Sequence, residues 1–422
     1  MRVLGTTETC DLGSLYLRLI AEGHEVRVSV SEPLASGTMA GLVPRTEDWR
    51  AELDWIRQAG PDGLILFEAI GFGALQDDLR SQGFNVIGGS AFGDQLENDR
   101  GFALQLLADF GMRIAPVAEF DNVEAAIADL RARPRRCVFK MSASAGETFV
   151  GTFSDGRDVA AMLASREWLS AVRFVLMDHV DGIETGVGGY FNGEQFLRPG
   201  CIDWEHKRFF AGDMGELTGE MGTVATYAGS EKIFDATLAA MAPLLRKAGH
   251  VGYVNLNTII NADGIWPIEF TCRFGYPGFA VLEPLHDLGW GDLFQRMISR
   301  DRLSFETRPG WSLCVVLTTP PFPYSRQEVE APVGMPVLVG DIEREHLHLG
   351  EVGLANGQLV TSGLYGWTAV VTGTGTTAAA AKAEAYRRAA LVEAPNLRYR
   401  LDIGDRQIDG ALDRLASWGW LS

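Results

Sequence analysis

The 422-residue sequence lacks several features that would assign it to a specialised class of protein. Its five cysteines show no CxxC spacing and cannot all pair, so neither a zinc site nor a disulfide framework is indicated. No apolar run approaches the roughly 18 residues of a membrane-spanning helix, and the N-terminus does not show the pattern of a signal peptide. We therefore expect a cytoplasmic protein that contacts no membrane.

Positive charge is also scarce. Lysine and arginine number 37 against 55 acidic residues, which gives a net charge of -18. Such a charge argues against nucleic-acid binding through the overall field. Hydrophobic residues (46%) and charged residues (22%) occur in ordinary globular proportions. With 422 residues, the chain is long enough for two or three domains. Any anionic ligand must then be held by a local group of cations.

The order of predicted elements indicates how the chain is organised. Strands and helices alternate up to about residue 90, which predicts a doubly wound parallel sheet. The middle region is richer in strands and glycine, and the last part combines short strands with one alanine-rich helix over 377–394. We predict an N-terminal α/β domain at 1–92, a middle domain at 93–302 with a subdomain near 115–182, and a C-terminal α+β domain at 303–422.

The segment "IEFTCRFG" (268–275) places charged and hydroxyl side chains at alternate positions. Residues two apart in a strand share a face, so Glu269, Thr271 and Arg273 would point the same way. Two interpretations are open. The group could hold a divalent ion beside a phosphate, or it could be the solvated face of an amphipathic strand.

Cations elsewhere leave similar alternatives. Lys140 ends a predicted strand before a small-residue loop, where it could reach phosphate oxygens or simply extend to solvent. Lys207 and Arg208 precede a glycine-rich segment that could approach a ligand closely or form an exposed hairpin. Glu184 follows a turn after the predicted strand that ends near Met177, and a surface role is equally compatible with that position.

Taken in order, these motifs resemble the ATP-grasp superfamily, and within it the phosphoribosylamine-glycine ligase family. The likeness covers nearly the whole chain. Four segments carry it: "LENDRGFALQLLADFGMRIAP" (96–116), "EHKRFFAGDMGELTGEMG" (205–222), "GYVNLNTIINADGIWPIEFTCRFG" (252–275) and "RYRLDIG" (398–404).

The resemblance implies an ATP-grasp fold of mixed α/β and α+β class, with an N-terminal parallel-sheet domain and a C-terminal α+β domain. It also implies an ATP-dependent ligase that joins a small carboxylic acid to an amine through an acyl phosphate. Magnesium is the implied metal, with manganese as an alternative. We expect small-molecule partners, no nucleic acid, and a monomer or homodimer.

The resemblance further implies three groups of site residues. Nucleotide binding falls to Arg100, Lys140, Met177, Asp178, Val180, Glu184, Thr218, Gly219 and Gly222. Metal binding falls to Glu269, Thr271 and Asn257. The residues beside the transferred phosphate, which we class as catalytic, are Lys207, Arg208 and Arg273.

The sequence also departs from the family pattern. Its opening loop "GTTETCDLG" has no arginine or histidine, Glu147 stands where a lysine would face phosphates, and Thr271 replaces an asparagine. Segment 275–278 lacks the two acids of the family's GDPE. Three hypotheses follow: a ligase with a different substrate pair, phosphoribosylamine-glycine ligase itself, and a non-catalytic nucleotide-binding protein.

Overall fold

The computed structural model describes residues 1–141, 148–166 and 173–421, and the chain folds into two compact units. The larger unit contains 1–94, 185–255 and 271–422. The smaller unit contains 95–184 and 256–270. None of the described helices combines the length and apolar character that crossing a bilayer requires.

A parallel sheet opens the larger unit and confirms the predicted doubly wound arrangement. Its strands pair in the order β2-β1-β3-β4, where the strands are β1 (Arg2–Thr7), β2 (Glu25–Val30), β3 (Gly63–Phe67) and β4 (Val86–Ile87). The accompanying helices are α1 (Gly13–Ala21), α2 (Leu53–Gln58), α3 (Gly73–Ser81) and α4 (Ala91–Asn98).

Both faces of this sheet are buried, as expected for parallel strands that read as continuous apolar runs. Val3 packs with Leu64 in the main core, while Leu4 packs with Ile65 in a second cluster on the opposite face. Side chains alternate along β1, so the two clusters receive successive residues of one strand.

The buried carboxyl group of Glu68, just after β3, ties the turn after β1 to α1. Glu68 is 5% exposed and accepts hydrogen bonds from the Thr7 hydroxyl (2.8 Å), the Leu12 amide (3.1 Å) and the Tyr16 hydroxyl (2.5 Å). Burial first, and the charge of Asp11 second, raise the pKa of Glu68 from 4.5 to about 7.

Replacing Glu68 with glutamine is expected to remove part of the pH dependence of stability. Because the pKa of Glu68 is higher in the folded state, the contribution of its protonated carboxyl group to stability is fully present below about pH 4.5. That contribution is lost as the pH rises through 7. The shift corresponds to roughly 3 kcal/mol. Chemical denaturation at several pH values should show a flatter profile for Glu68→Gln than for the exposed control Glu25→Gln; equal profiles would contradict the assignment.

The smaller unit is built around an antiparallel sheet of order β5-β8-β6-β7. These strands are β5 (Val117–Phe120), β6 (Cys137–Met141), β7 (Thr148–Val150) and β8 (Phe174–Asp178). The helices of this region are α5 (Arg100–Asp109), α6 (Val123–Ala132) and α7 (Arg157–Ala164).

The rest of the chain adds antiparallel strands and short helices. The remaining strands are β9 (Ile183–Phe191), β10 (Cys201–Glu205), β11 (Arg208–Phe210), β12 (Met214–Leu217), β13 (Gly222–Thr226), β14 (Gly252–Asn261), β15 (Gly264–Thr271), β16 (Trp311–Thr318), β17 (Leu338–Val339), β18 (Leu347–Leu349), β19 (Val352–Ala355), β20 (Gln358–Thr361), β21 (Trp367–Gly375) and β22 (Val392–Glu393). The remaining helices are α8 (Glu231–Ala236), α9 (Ala242–Lys247), α10 (Gly278–Leu282), α11 (Trp290–Ser299), α12 (Ala378–Ala389) and α13 (Leu412–Ser417).

In the larger unit these strands form a sheet of order β14-β9-β10-β13-β16-β21-β18, and in the smaller unit β14 and β15 form a hairpin. Strands β16 and β21 therefore share a sheet with β10 and β13, although they come from the predicted C-terminal domain. The three-domain division stays a prediction.

The buried carboxylate of Glu351 fixes the loop before β21. It is 3% exposed and accepts hydrogen bonds from the successive amides of Leu364 (2.7 Å), Tyr365 (2.8 Å), Gly366 and Trp367 (3.2 Å). Burial raises the pKa of Glu351 to about 7, while the backbone bonds oppose the shift. One side chain thus satisfies an otherwise buried run of backbone donors.

Candidate functional site

The sheet of the smaller unit has one face covered by helices and one face that carries predicted nucleotide residues. Cys137, Phe139 and Leu176 lie in the core that α6 and α7 complete. Lys140 pairs in register with Val175, so its side chain lies on the opposite face. Lys140 is only 7% exposed, which places an ammonium group close to apolar neighbours.

Met177 lies on the same face as Lys140. It is 7% exposed and packs with Leu104 and Ala115, with Val180 partly buried against them. An apolar patch beside a buried cation has the chemistry that a nucleotide requires, because the base is flat and apolar while the phosphates are anionic. Lys140 and Met177 therefore fit an ATP ligand.

Two backbone amides at the end of β8 already donate hydrogen bonds within the smaller unit. The amide of Asp178 donates to the Pro116 carbonyl (2.9 Å), and the amide of His179 donates to the Arg136 carbonyl (3.0 Å). The Asp178 side chain accepts a hydrogen bond from Arg135 (2.5 Å). Adenine would then be read by other main-chain groups of the 177–180 segment.

The β14-β15 hairpin of the smaller unit carries two predicted metal ligands. Asn257 on β14 is 6% exposed, and Glu269 on β15 accepts a hydrogen bond from the Arg100 guanidinium. Magnesium uses one or two protein oxygens together with phosphate oxygens, so this donor set fits it. Across the described residues there is no group of three or more His, Cys, Asp or Glu side chains that could hold a metal without a phosphate.

In the larger unit the glycine-rich segment folds back on the Lys207–Arg208 pair. The amide and hydroxyl of Thr218 both donate to the Lys207 carbonyl, at 2.8 and 2.7 Å. Arg208 donates to the Gly215 carbonyl (2.7 Å) within the β11-β12 hairpin. Gly222 must be glycine, since a Cβ there would lie 2.5 Å from the Cys314 carbonyl oxygen. Lys207, Arg208 and Thr218 thus meet at one hairpin.

A buried arginine that sequence reasoning missed holds this hairpin. Arg400 donates to both carboxylate oxygens of Asp402 (2.8 Å each), to Asp213 (3.0 Å) and to the Arg208 carbonyl (2.9 Å). Although burial opposes it, bonding from Arg400 and from the Gly212 amide lowers the pKa of Asp402 to about 2. The signal for Arg400 is the segment "RYRLDIG" (398–404), which contains it and which resembles the C-terminal segment of the family.

Buried His206 lies next to Lys207. Burial first, with the charges of Arg406 and Arg400 after it, lowers its pKa to about 4. Its Nε2 accepts a hydrogen bond from the Gly404 amide (3.2 Å), so the neutral ring links the glycine-rich segment to the C-terminal segment.

A small cavity of about 40 Å³ in the larger unit is lined by three acids that the sequence reasoning also missed: Asp203, Glu205 and Glu220. Burial, then the charges of Glu205 and Asp203, raises the pKa of Glu220 well above its usual value. Asn255 donates to Asp203 (2.8 Å), and Lys207 pairs with Glu205 (3.1 Å). The signal for Glu220 was its position, where the family segment has glycine.

Thr271 lines the same cavity, and the charge of Arg273 acts on Asp11. Burial raises the pKa of Asp11, while the Thr9 hydroxyl and Arg273 lower it. Glu147 lies outside the described residues. The structure thus divides the predicted residues between the units: the smaller contains Arg100, Lys140, Met177, Asp178, Val180, Glu184, Asn257 and Glu269, and the larger contains Lys207, Arg208, Thr218, Gly219, Gly222, Thr271 and Arg273.

Comparison with known proteins identifies a family model and relatives that this chain resembles. Residues 98–279 match the family model described as the phosphoribosylglycinamide synthetase, ATP-grasp (A) domain. Phosphoribosylamine-glycine ligase of Neisseria meningitidis serogroup B is 24% identical over 412 residues, which cover 92% of this chain and 96% of that protein.

Solved structures show the same fold. Phosphoribosylamine-glycine ligase of Thermotoga maritima superposes with a TM-score of 0.72 at 20% identity, covering 96% of this chain and 100% of that one. The biotin carboxylase domain of Hydrogenobacter thermophilus 2-oxoglutarate carboxylase, solved with MgADP, has a TM-score of 0.62 at 12% identity, covering 94% and 91%. The chain is therefore an ATP-grasp enzyme that resembles phosphoribosylamine-glycine ligase.

Proposed function

We propose that the protein is an ATP-dependent carboxylate-amine ligase whose substrate pair differs from that of phosphoribosylamine-glycine ligase. The observation that carries the ligase assignment is the buried Lys140, which lies beside Met177 on one face of a sheet within the region that matches the ATP-grasp model. An ammonium group on this face of the sheet can contact nucleotide phosphates while the apolar patch around Met177 contacts the base.

The proposed reaction has two steps. The carboxylate of the acid attacks the γ-phosphorus of ATP, which releases ADP and forms an acyl phosphate. The amine then attacks the acyl carbon, phosphate leaves with the bonding electrons, and the amine loses a proton to give the amide. Because the reacting groups are anionic, cations must offset their repulsion. Lys140 of the smaller unit is the cation that we propose for the nucleotide phosphates, and Lys207 and Arg208 of the larger unit are those that the family resemblance implies for the transferred phosphate.

Magnesium, when bound, would supply further charge neutralisation at the phosphates. The oxygens of Glu269 and Asn257 would hold it, with Thr271 as a third predicted ligand; manganese has the same preference for oxygen. Arg100 donates a hydrogen bond to Glu269 and would orient that carboxylate.

The turn after β1 supports a different substrate pair. In the family this turn helps to form the phosphoribosylamine pocket, but here its donors serve the protein itself. The Cys10 amide donates to the Thr7 hydroxyl (2.7 Å), and the Leu12 amide donates to the Glu68 carboxyl (3.1 Å). With Glu8 and Asp11 as its charged residues, this turn would repel a phosphate.

The cavity that contains Glu220 gives a second reason. Glu220 and Asp203 are 7% and 6% exposed, and the family segment quoted for the resemblance has glycine where this chain has Glu220. Buried carboxyl groups favour a hydrogen-bond donor or a cationic group. We assign the amino group of the amine substrate to this cavity, because about 40 Å³ has room for little more than that group.

The alternative is phosphoribosylamine-glycine ligase activity itself. It is favoured by the coverage of the relatives, since the Neisseria enzyme of that name aligns over 96% of its length. Growth of a purine-requiring strain that lacks this step, when supplied with the present gene, would establish the alternative. We expect no complementation.

The direct test is incubation of the protein with ATP and Mg²⁺ and pools of carboxylic acids and amines. We expect ADP, phosphate and amide to appear in equal amounts, and only when both an acid and an amine are present. ATP binding without turnover across broad pools would instead support a non-catalytic nucleotide-binding protein. Glycine with phosphoribosylamine serves as the reference pair, for which we expect little turnover.

A further inference from the structure

A cavity of about 200 Å³ opens in the larger unit at the carboxyl ends of three parallel strands. Strand β1 is central to its part of the sheet, with β2 on one side and β3 on the other. The chain therefore reverses its direction of winding at β1. In open parallel sheets, ligands bind outside the carboxyl ends of the strands at such a reversal.

The floor of the cavity is a row of side chains across the three strands. Thr6 on β1 is in register with Ser29 on β2 and Phe67 on β3, so the three side chains share one face. Thr6 is 7% exposed, and its hydroxyl has no hydrogen-bond partner within the described residues. Buried hydroxyl groups are nearly always hydrogen-bonded, and because this one also lines an open cavity, its missing partner points to a ligand group at the floor.

The walls of the cavity are aromatic. The rings of Trp49 and Phe67 meet edge to face with centroids 6.0 Å apart, and Phe67 and Phe72 lie 6.3 Å apart. Leu75 completes the apolar lining. Such walls favour a flat ring, which can make offset and edge-to-face contacts with each of them.

The charges at the rim do not suit a phosphate. Arg50 stacks over Trp49, with 4.4 Å between the guanidinium carbon and the ring centroid, and it also lies 3.7 Å from Asp48. Glu8 lines the same opening. One exposed arginine that already lies near Asp48, in an opening that Glu8 also lines, provides little attraction for a dianion.

We propose that this cavity binds a planar aromatic ring with one hydrogen-bonding substituent, as part of the acid or amine that the enzyme consumes. A dry cavity of about 150 Å³ accepts benzene, so one of about 200 Å³ has room for a ring and a small substituent. The substituent bonds to the Thr6 hydroxyl. The link to a substrate rests on the proposed ligase function, whereas the binding site itself does not.

The test uses the full chain without ATP and the neutral probe benzamide, with binding followed by ligand-observed NMR. We expect benzamide to bind, and Thr6→Val to weaken its binding at least 5-fold, because valine keeps the shape but removes the hydroxyl. Thr38→Val is the matched control, since the Thr38 hydroxyl is also buried without a partner among described residues but does not line the cavity. Phe72→Ala should weaken binding likewise, and Phe110→Ala, which removes an exposed ring of the smaller unit, should not.

Three results would overturn the proposal: no benzamide binding, equal binding by wild type and Thr6→Val, or tighter binding of ribose 5-phosphate than of benzamide. The outcome is separable from that of the ligase proposal. Benzamide binding with no ADP release from any substrate pool would leave this site standing and reject the ligase. ADP release without benzamide binding would reject only this site.

Discussion

Replacing Lys140 with methionine is expected to lower ATP affinity by roughly 30- to 150-fold, because a charge-assisted contact to phosphate contributes about 2–3 kcal/mol. Methionine matches the length of the lysine stem and suits a position that is 7% exposed. The variant should therefore fold. Titration with a non-hydrolysable ATP analogue and Mg²⁺ measures the affinity independently of turnover.

Lys247→Met is the matched control, because Lys247 is an exposed residue at the end of α9 in the larger unit. Its affinity for the analogue should equal that of wild type. If Lys140→Met also binds the analogue as wild type does, the nucleotide site proposed for the smaller unit is wrong. If Lys140→Met does not fold, a Lys140→Arg variant should retain measurable affinity and decide the question.

Replacing Arg400 with leucine is expected to reduce the free energy of unfolding by about 3 kcal/mol, the lower end of the range for buried pairs, since it leaves the partly buried Asp402 without its cation. The Arg400 side chain is 1% exposed, and it joins Asp402 and Asp213 to the Arg208 carbonyl. Chemical denaturation measures the loss directly. Because the β11-β12 hairpin is held by the same contacts, we also expect faster amide exchange at Gly212 and Thr218.

Arg406→Leu provides a graded control. Arg406 pairs with the same Asp213 but is 54% exposed, so its loss should cost no more than about 1 kcal/mol. A similar loss of stability in both variants would show that burial of Arg400 is not the cause. Unchanged amide exchange in Arg400→Leu would show that the hairpin does not depend on it.

Local sequence patterns predicted the strands and helices whose apolar residues follow a regular spacing within one segment. The parallel sheet of β1 to β4 follows from apolar runs, and the alanine-rich segment forms α12. The predicted C-terminal end of that helix was wrong, because α12 ends at Ala389 rather than at 394 and Val392–Glu393 form strand β22. Four motif segments predicted the ATP-grasp fold, and the comparisons confirm that prediction.

Contacts between residues far apart in sequence were beyond local patterns. The sequence predicted a phosphate contact for Arg100 and a metal contact for Glu269, each on its own. The two residues are 169 positions apart, yet Arg100 donates a hydrogen bond to Glu269. The cavity of Asp203 and Glu220 depends on the pairing of β10 with β13, which no period in either strand specifies. The roles of the predicted site residues stay predictions until the variants above are measured.

The Glu351 contacts to residues 364–367 have a consequence for sequence divergence. The carboxylate meets main-chain N–H groups alone, so its bonds are indifferent to which side chains those four residues carry. Proline is the exception, as it has no N–H to offer. Gly366 is constrained separately, because its φ is +91° and a Cβ there would lie 2.2 Å from the Thr319 carbonyl oxygen. As far as the acid is concerned, the other three positions can diverge in side-chain chemistry while the loop keeps its path, provided that the acid persists and that proline is absent from all four positions.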